Sequence, residues 1–346
     1  MRPLLRFKSL LVLVLTILGY TAVAQDIHFT QYYHNPILLN PAQTGLACNW
    51  RAGINYRSQW GSVTSPYKTT AGYFDIPIFL NRSRSAALGL GVGIFNDVAG
   101  TGALTTMEVT PTMALHLGFG SEDPKQYHLS IGIQPAYRQK KVDINQLTWS
   151  SQWDGNIIDP YRPTGETQLQ TGTVGAFDLN TGIQFTAVPS SNFSFNIGAS
   201  IFHVLTPIES FYQSTTNSLD SRKVINLGAK FMVNEKLAVL PSLLFMAQAK
   251  ASEKNLGAEL NYNLTGEEDA FALFGGLFYR WKDAAQLMGG FEKNRFRVCL
   301  SYDINMSGLH NVSRYRGGFE LALMYKAPCY PPRLIPPPPQ LVCPRF

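Results

Sequence analysis

Residues 127–138 have the sequence YHLSIGIQPAYR, in which apolar residues alternate with polar or small ones. One face of this run would carry Tyr127, Leu129, Ile131, Ile133, Pro135 and Tyr137. The other face would carry His128, Ser130, Gly132, Gln134, Ala136 and Arg138. Because successive side chains of a strand point to opposite faces, the period of two predicts a β-strand with an apolar wall and a polar wall.

The same alternation recurs along most of the chain, in runs separated by turn residues. We interpret these runs as fourteen strands with approximate ranges 50–57, 69–76, 86–96, 104–117, 127–141, 172–187, 193–204, 223–233, 237–249, 254–264, 270–281, 285–292, 295–305 and 316–326. A soluble sandwich also alternates, so the pattern alone does not say which face meets water. The strand count, the chain length and an export signal together predict an all-β fold, a single closed antiparallel transmembrane β-barrel of about 14 strands.

The export signal is at the N-terminus. Residues 1–24 begin with a basic stretch, continue with the apolar core LLVLVLTIL at 10–18 and end in Ala-Val-Ala at 22–24. This order is typical of a secretory signal peptide, and the apolar run is short for a spanning helix. We therefore expect cleavage before Gln25.

The composition agrees with a barrel that meets lipid. Charged residues make up 15% of the chain, against about 25% in soluble domains. The formal net charge of +6 includes three signal-peptide cations, Arg2, Arg6 and Lys8. The net charge that remains after cleavage is too small to indicate a nucleic-acid partner. The low content of charged residues instead favours a mature chain surrounded by outer-membrane lipid.

An even strand count places both ends of a barrel on one side, which is the periplasmic side in bacterial outer-membrane barrels. The two longest connections, 142–171 and 205–222, then fall outside the cell. The predicted organisation is a signal peptide (1–24), an N-terminal segment (25–49), the barrel (50–326) and a proline-rich periplasmic tail (327–346).

The N-terminal segment is aromatic and amide-rich, and its prolines exclude a long helix or strand. Its apolar content predicts that it packs against the barrel instead of remaining in water. We expect it to fold into or across the periplasmic mouth, closing the pore and presenting a surface to periplasmic partners. The candidate plug and partner residues are Phe29, Gln31, Tyr32, Asn35, Asn40, Pro41 and Gly45.

The four cysteines are not arranged in a CxxC motif, which argues against a zinc knuckle or a thioredoxin motif. Cys329 and Cys343 bracket the proline-rich tail. Because export permits disulfides, these two cysteines are the predicted pair.

No catalytic, cofactor-binding or metal-binding residues are predicted. Gly89, Gly91 and Gly93 lie at period two inside a strand and open no helix, so they do not form a dinucleotide fingerprint. They leave one strand face clear for a closely packed backbone or a bulky neighbour. The six histidines form no metal-binding spacing, and no serine, histidine and acid can be assembled into a triad. We expect a protein that is not an enzyme.

Several motifs resemble, in their order along the chain, those of the PorP/SprF family of the Bacteroidetes. They are FTQY at 29–32 with NPA at 40–42 and Gly45, GVGIFND at 91–97, IQPAYRQ at 133–139, WSSQWD at 149–154 and GGFELAL at 317–323. The resemblance covers residues 26–326, whereas the tail with its two cysteines departs from the family pattern.

The resemblance implies an integral outer-membrane barrel of the type IX secretion system, which serves protein export and gliding motility. It also implies partners among the periplasmic ring or peptidoglycan-linked components, or a secreted adhesin-like cargo. A passive diffusion porin is the alternative that the barrel pattern alone would favour. A porin requires an open lumen, whereas the resemblance to the family implies a lumen that is largely filled.

Overall fold

A computed structural model describes residues 26–63, 65–79, 86–100, 102–119, 126–165, 172–211, 217–265, 271–308 and 310–328. The predicted signal peptide, Cys329 and Cys343 lie outside these ranges. The strands are β1 Arg51–Gln59, β2 Tyr67–Phe79, β3 Ala86–Ala99, β4 Leu104–Phe119, β5 Gln126–Lys141, β6 Thr173–Ser190, β7 Phe193–Phe202, β8 Arg222–Met232, β9 Leu237–Gln248, β10 Ala251–Asn263, β11 Ala272–Arg280, β12 Ala284–Lys293, β13 Phe296–Asn305 and β14 Arg316–Lys326.

Each strand pairs antiparallel with its neighbours in the chain, and β1 also pairs with β14, so the sheet closes into a barrel. In the closing pair Arg51 lies opposite Lys326, and Gln59 lies opposite Gly318. The predicted closed barrel of fourteen strands is therefore confirmed. We call the end where β1 begins and β14 ends the near end, and the opposite end the far end.

The barrel is apolar outside and polar inside. The side chain of Ile131 is 54% exposed on the outer face of β5, whereas its neighbour Ser130 is 1% exposed inside. The same division holds on the other strands, where Val92, Leu260 and Leu323 are exposed and Asn55, Gln134 and Asn180 are buried. This arrangement reverses that of a water-soluble protein and suits a wall surrounded by lipid.

Aromatic rings form a band around the outside of the near end. The rings of Phe119 and Tyr127 stack with their centroids 6.0 Å apart, and Phe193 stacks on Phe231 at 4.8 Å. Tyr137 lies on the outer face of β5 toward the far end, where it packs against Phe177. Aromatic side chains favour the headgroup level of a bilayer, so the rings indicate where the two membrane boundaries lie.

The connections differ between the two ends. At the near end β12 and β13 are joined by Asn294 and Arg295, both with positive φ, as a tight hairpin turn requires. The two longest connections, between β5 and β6 and between β7 and β8, both lie at the far end, on the side predicted to be extracellular.

The remaining elements are single helical turns. They are 3-10 turns at Tyr32–His34, Pro41–Gln43, Ile144–Gln146 and Ser150–Gln152, and α-helical turns at Pro36–Leu39 and His310–Ser313. Among the described residues, no helix has the length and apolar character needed to span a membrane.

Candidate functional site: the N-terminal plug inside the lumen

Residues 26–49, here called the plug, lie inside the barrel lumen. Pro36 and Pro41 each occupy the first turn of a short helical element, where a missing N–H does no harm, and each ends the element before it. The plug therefore folds into a compact succession of turns instead of one rod. Polar side chains of the strands contact the plug at the far end, in the middle and at the near end of the lumen.

At the far end Asp26 is the anchor. Its carboxylate forms ion pairs with Arg138 of β5, at 3.0 Å, and with Nε2 of His203, which directly follows β7. Nδ1 of His203 pairs with Asp178. Asp26 also donates its backbone N–H to Oε1 of Gln248, at 3.0 Å.

The far-end ion pairs alter the protonation of both partners. Burial alone would raise the pKa of Asp26, but Arg138 and His203 hold this pKa well below its usual range. Burial alone would lower the pKa of His203, but the carboxylates of Asp26 and Asp178 raise it to about 9. At neutral pH the imidazolium therefore lies between two carboxylates and connects the plug to the wall.

In the middle of the lumen, one carboxylate of the wall binds two successive backbone groups of the plug. Oε2 of Glu320 accepts the N–H of Thr30 at 2.8 Å, and Oε1 accepts the N–H of Gln31 at 3.1 Å. Arg57 pairs with Glu320 and with Asp303, at 3.0 and 2.8 Å, and donates to the hydroxyl of Thr30. Since charged hydrogen bonds are the strong ones in a buried site, this group fixes the register of the plug.

Two tyrosines of the plug contact strands β9 and β10. Tyr32 donates its hydroxyl to Oγ of Ser242 at 2.8 Å, and Tyr33 donates to Oε2 of Glu259 at 3.3 Å. Glu259 is itself held by Arg297, which lies over the ring of Phe274. Burial raises the pKa of both tyrosine hydroxyls, so they remain donors.

Toward the near end the plug is held through its backbone. Gly45 adopts a positive φ of 70° and donates its N–H to Asp75 at 2.6 Å, and Asp75 also binds Arg51. The carbonyl oxygen of Thr44 lies 2.7 Å from Nε2 of His116. The described strands therefore bind the plug at both ends of the lumen as well as in its middle.

Glycines in the wall give the plug its space. A Cβ added to Gly89 would overlap the carbonyl oxygen of Thr44, and one added to Gly132 would overlap the backbone of Pro41. A Cβ on Gly91 would lie 2.8 Å from Cγ2 of Thr44. The period-two glycines of β3 therefore clear a strand face for an approaching backbone, as their spacing predicts.

The seven predicted plug residues all lie within this packing. Phe29 packs with Ala71 and Phe95, and Gln31 donates its side-chain amide to Ser301. Asn40 donates to the carbonyl oxygen of Ile183. The contacts of Tyr32, Pro41 and Gly45 are given above.

Asn35 has a buried side-chain amide with no hydrogen-bond partner among the described residues. It lines a cavity of about 40 Å³ between the plug and the wall. A cavity of this size and polarity can hold ordered water, which would satisfy the amide.

The plug lies deeper than the predicted position at the periplasmic mouth, since Asp26 reaches the far end of the lumen. The alternation along the strands predicts ten charged residues on the lumen-facing side. Nine of them are buried there: Arg51, Arg57, Asp75, Arg138, Asp178, Glu259, Arg297, Asp303 and Glu320. The tenth, Lys230, is partly exposed. Sequence reasoning missed Asp26 and His203 as an ion pair, because nothing near either residue in the sequence marks the other as its partner.

The predicted pair, Cys329 and Cys343, lies outside the described residues. Of the other two cysteines, Cys299 is a buried free thiol and Cys48 is disulfide-bonded. Because the chain has only four cysteines and Cys299 is free, the disulfide of Cys48 is incompatible with a pair between Cys329 and Cys343, so the predicted pairing is wrong.

Motifs that are far apart in the sequence meet around the plug. The FTQY motif at 29–32 contacts Glu320 of the GGFELAL motif. Gln134 and Arg138 of the IQPAYRQ motif bind Ile37 and Asp26. Phe95 of the GVGIFND motif packs on Phe29. Four of the five motifs that resemble the family therefore hold a segment inside the barrel, whereas WSSQWD lies in the connection between β5 and β6.

The fold and the site define a β-barrel membrane protein whose lumen is occupied by its own N-terminal segment. The family described as "Type IX secretion system membrane protein PorP/SprF" matches residues 21–325. The chain belongs to this family, and its membership implies association with components of the secretion machinery.

A search of curated proteins found no match. Among solved structures, the Ralstonia pickettii toluene transporter TbuX is similar, with 11% identity, a TM-score of 0.46, and coverage of 84% of this chain and 92% of that one. CdiB from Acinetobacter baumannii has 8% identity and a TM-score of 0.44, covering 80% of this chain and 60% of that one. Likenesses this distant support no statement about what this chain transports or binds.

Proposed function

We propose that this protein is a non-enzymatic barrel of the outer membrane that serves the type IX secretion and gliding machinery. It acts as a docking or anchoring platform for periplasmic machinery, for secreted surface proteins such as adhesins, or for both. The observation that carries this proposal is the occupied lumen. A barrel that is filled and cross-linked by ion pairs is suited to act through its surfaces.

The same observation disfavours the alternative, a passive diffusion porin. Fourteen strands enclose more space than side chains alone can fill, so an empty barrel of this size would conduct. Here Asp26, Thr30 and Gly45 are bound to the wall at successive levels. Opening the lumen would separate the buried carboxylates of Asp26, Glu320 and Asp75 from the groups that bind them, which is costly in a low dielectric.

An exposed apolar surface at the far end supports the docking role. Within the connection between β5 and β6, Trp153 and Ile158 form an isolated β-bridge, and Oδ1 of Asp154 accepts two backbone N–H groups in the turn between them. Ile157 of this hairpin is 63% exposed, and Tyr161 in the turn that follows is 95% exposed. Exposed aromatic groups on an ordered loop bind partners at low entropic cost.

Deleting residues 26–45 tests the filled lumen. We expect the purified variant to conduct ions in a planar bilayer and to lose periplasmic partners in co-purification from native membranes. Heat-modifiable migration on gels should persist, because strands β1 to β14 remain. The matched control, Tyr161→Ala, should stay closed. Unchanged conductance and unchanged co-purification in the deletion variant would overturn the plug model.

The hairpin is tested separately. Trp153→Ala together with Tyr161→Ala should reduce co-purification of secretion components or cargo without opening conductance. The control is Val312→Ala, which removes an exposed apolar side chain from a different far-end connection. Equal retention of partners by both variants would exclude the hairpin as a docking surface.

A further inference from the structure

A cavity of about 370 Å³ lies at the far end of the barrel, beside the plug. Its wall comes from the ends of six strands together with His28 of the plug. Trp60 and Trp281, which follow β1 and β11, both line it. This volume is within the range of about 300–1,000 Å³ that is usual for small-ligand sites.

The charges that line this cavity do not balance. Arg280 is shared among three carboxylates, with 2.9 Å to Asp283 and 3.3 Å to both Glu253 and Asp303. One guanidinium therefore faces three acids, a formal excess of two negative charges. Arg57 lies behind Asp303 but is also bound to Glu320, so it does not remove the excess.

The histidine of the plug does not supply the missing positive charge. Burial lowers the pKa of His28 to about 4, although Glu253, 3.6 Å away, acts in the opposite direction. Lys282 follows Trp281 in the sequence but is exposed and does not line the cavity.

Glu253 keeps hydrogen-bonding capacity. Its side chain is 9% exposed, and its Oε1 forms an ion pair with Nε of Arg280, 3.3 Å away. The geometry of this pair is too poor for a hydrogen bond, so Oε1 can still accept one from another donor. Since buried polar groups are nearly always satisfied, this carboxylate is one that an added donor would stabilise.

The two tryptophans indicate which donor fits. The faces of indole rings attract cations, most strongly where water is excluded. Trp60 holds a positive φ of 61°, an unusual conformation for a bulky residue and one that recurs at ligand sites. Aromatic walls with an excess of carboxylates suit a cationic group carried on an apolar stem.

We propose that this cavity binds a single organic cation, a guanidinium or a primary ammonium group. The group lies between Trp60 and Trp281 and donates to Asp283 and Glu253. It comes either from a basic side chain of a partner polypeptide or from a free small cation. This inference goes beyond the docking role and does not depend on it, because binding is measured on the purified barrel.

The test titrates the full-length protein in detergent with N-acetyl-arginine amide, followed by calorimetry and tryptophan fluorescence. The matched neutral probe is N-acetyl-citrulline amide, which has nearly the same shape. We expect the arginine probe to bind and the citrulline probe not to bind. Affinity should also fall as salt rises. Equal binding of both probes, or binding of neither, overturns the proposal.

Two variants localise the site. Asp283→Asn should weaken binding of the arginine probe by about threefold to fivefold, because a partly exposed charge partner is lost. Its control, Asp159→Asn, changes an exposed aspartate in the hairpin connection and should leave the affinity unchanged. Trp281→Leu removes the indole ring but keeps an apolar side chain, and it should also weaken binding. This second variant tests the site even if Asp283→Asn does not fold. Unchanged affinity in every folded cavity variant overturns the assignment.

A third arm separates the two sources of the cation. A flexible peptide with one central arginine is titrated beside the single-residue probe. Tighter binding of the peptide assigns the site to a polypeptide partner, and equal binding assigns it to a small cation. Either result supports a cation site.

Discussion

The α-carbon of Gly89 lies so close to the carbonyl oxygen of Thr44 that a side chain at position 89 would occupy the space of that oxygen. Gly89 belongs to the wall and Thr44 to the plug. The position of the plug therefore depends on the absence of a side chain at Gly89. It also depends on the hydrogen bond between His116 and the same carbonyl oxygen of Thr44.

Gly89→Ala should displace the near end of the plug. Overpacking a well-fitted contact typically costs about 1–3 kcal/mol, and here the clash is with backbone that cannot rotate away. We expect faster proteolysis of residues 40–49 and intermittent ion conductance. Gly72→Ala is the control, since its Cβ would lie 3.6 Å from the nearest atom. Two variants with the same protease pattern would contradict the packing described here.

Arg57→Leu should be far more damaging than removal of a surface arginine. It leaves Glu320 and Asp303 buried without their shared partner, and breaking such a buried network costs about 3–5 kcal/mol. Arg162→Leu breaks a half-exposed pair with Asp159 at 3.9 Å and should cost about 0–1 kcal/mol. Urea unfolding in detergent, followed by heat-modifiable migration, measures both. A midpoint for Arg57→Leu near that of the wild-type protein would show that the network contributes little.

Ile131→Arg places a charge in the middle of the lipid-facing wall and should cost about 2–4 kcal/mol. Tyr161→Arg, at an exposed far-end position, should cost almost nothing. The natural comparison, Ser130→Arg, is a poor control in this protein. Ser130 faces the lumen, but it is buried against Nδ1 of His116 at 2.7 Å, so arginine would overpack the interior. Folding yields in lipid vesicles distinguish these cases.

The far-end anchor should weaken at high pH. The pKa of His203 is raised above its ordinary value of 6.5 to about 9. Its contribution to plug retention is therefore complete below about pH 6.5 and is lost as pH rises through about 9. Hydrogen exchange of residues 26–31 should accelerate between pH 7 and pH 10, after correction for the intrinsic rate.

His203→Gln is the control for this pH dependence. It should show faster exchange already at pH 7 and little further change when pH is raised. An equal rise in both proteins would mean that another group controls the far end.

Most of the architecture could be predicted from the sequence, because its signals are local. A period of two in a run such as 127–138 depends only on neighbouring residues, and so does the apolar content that places 26–49 against the barrel. The depth of the plug could not be predicted. It depends on pairs such as Asp26 with His203 and Thr30 with Glu320, which join distant parts of the chain and carry no periodicity.

The position of the plug also constrains how the molecule is assembled. Thr30 of the plug binds Glu320 of β14 and Arg57 of β1, the two strands whose pairing closes the barrel. We therefore expect the plug to favour closure during assembly, although the strands can pair without it. Substitutions such as Gly89→Ala should accordingly lower the yield of closed barrels, in addition to loosening those that form.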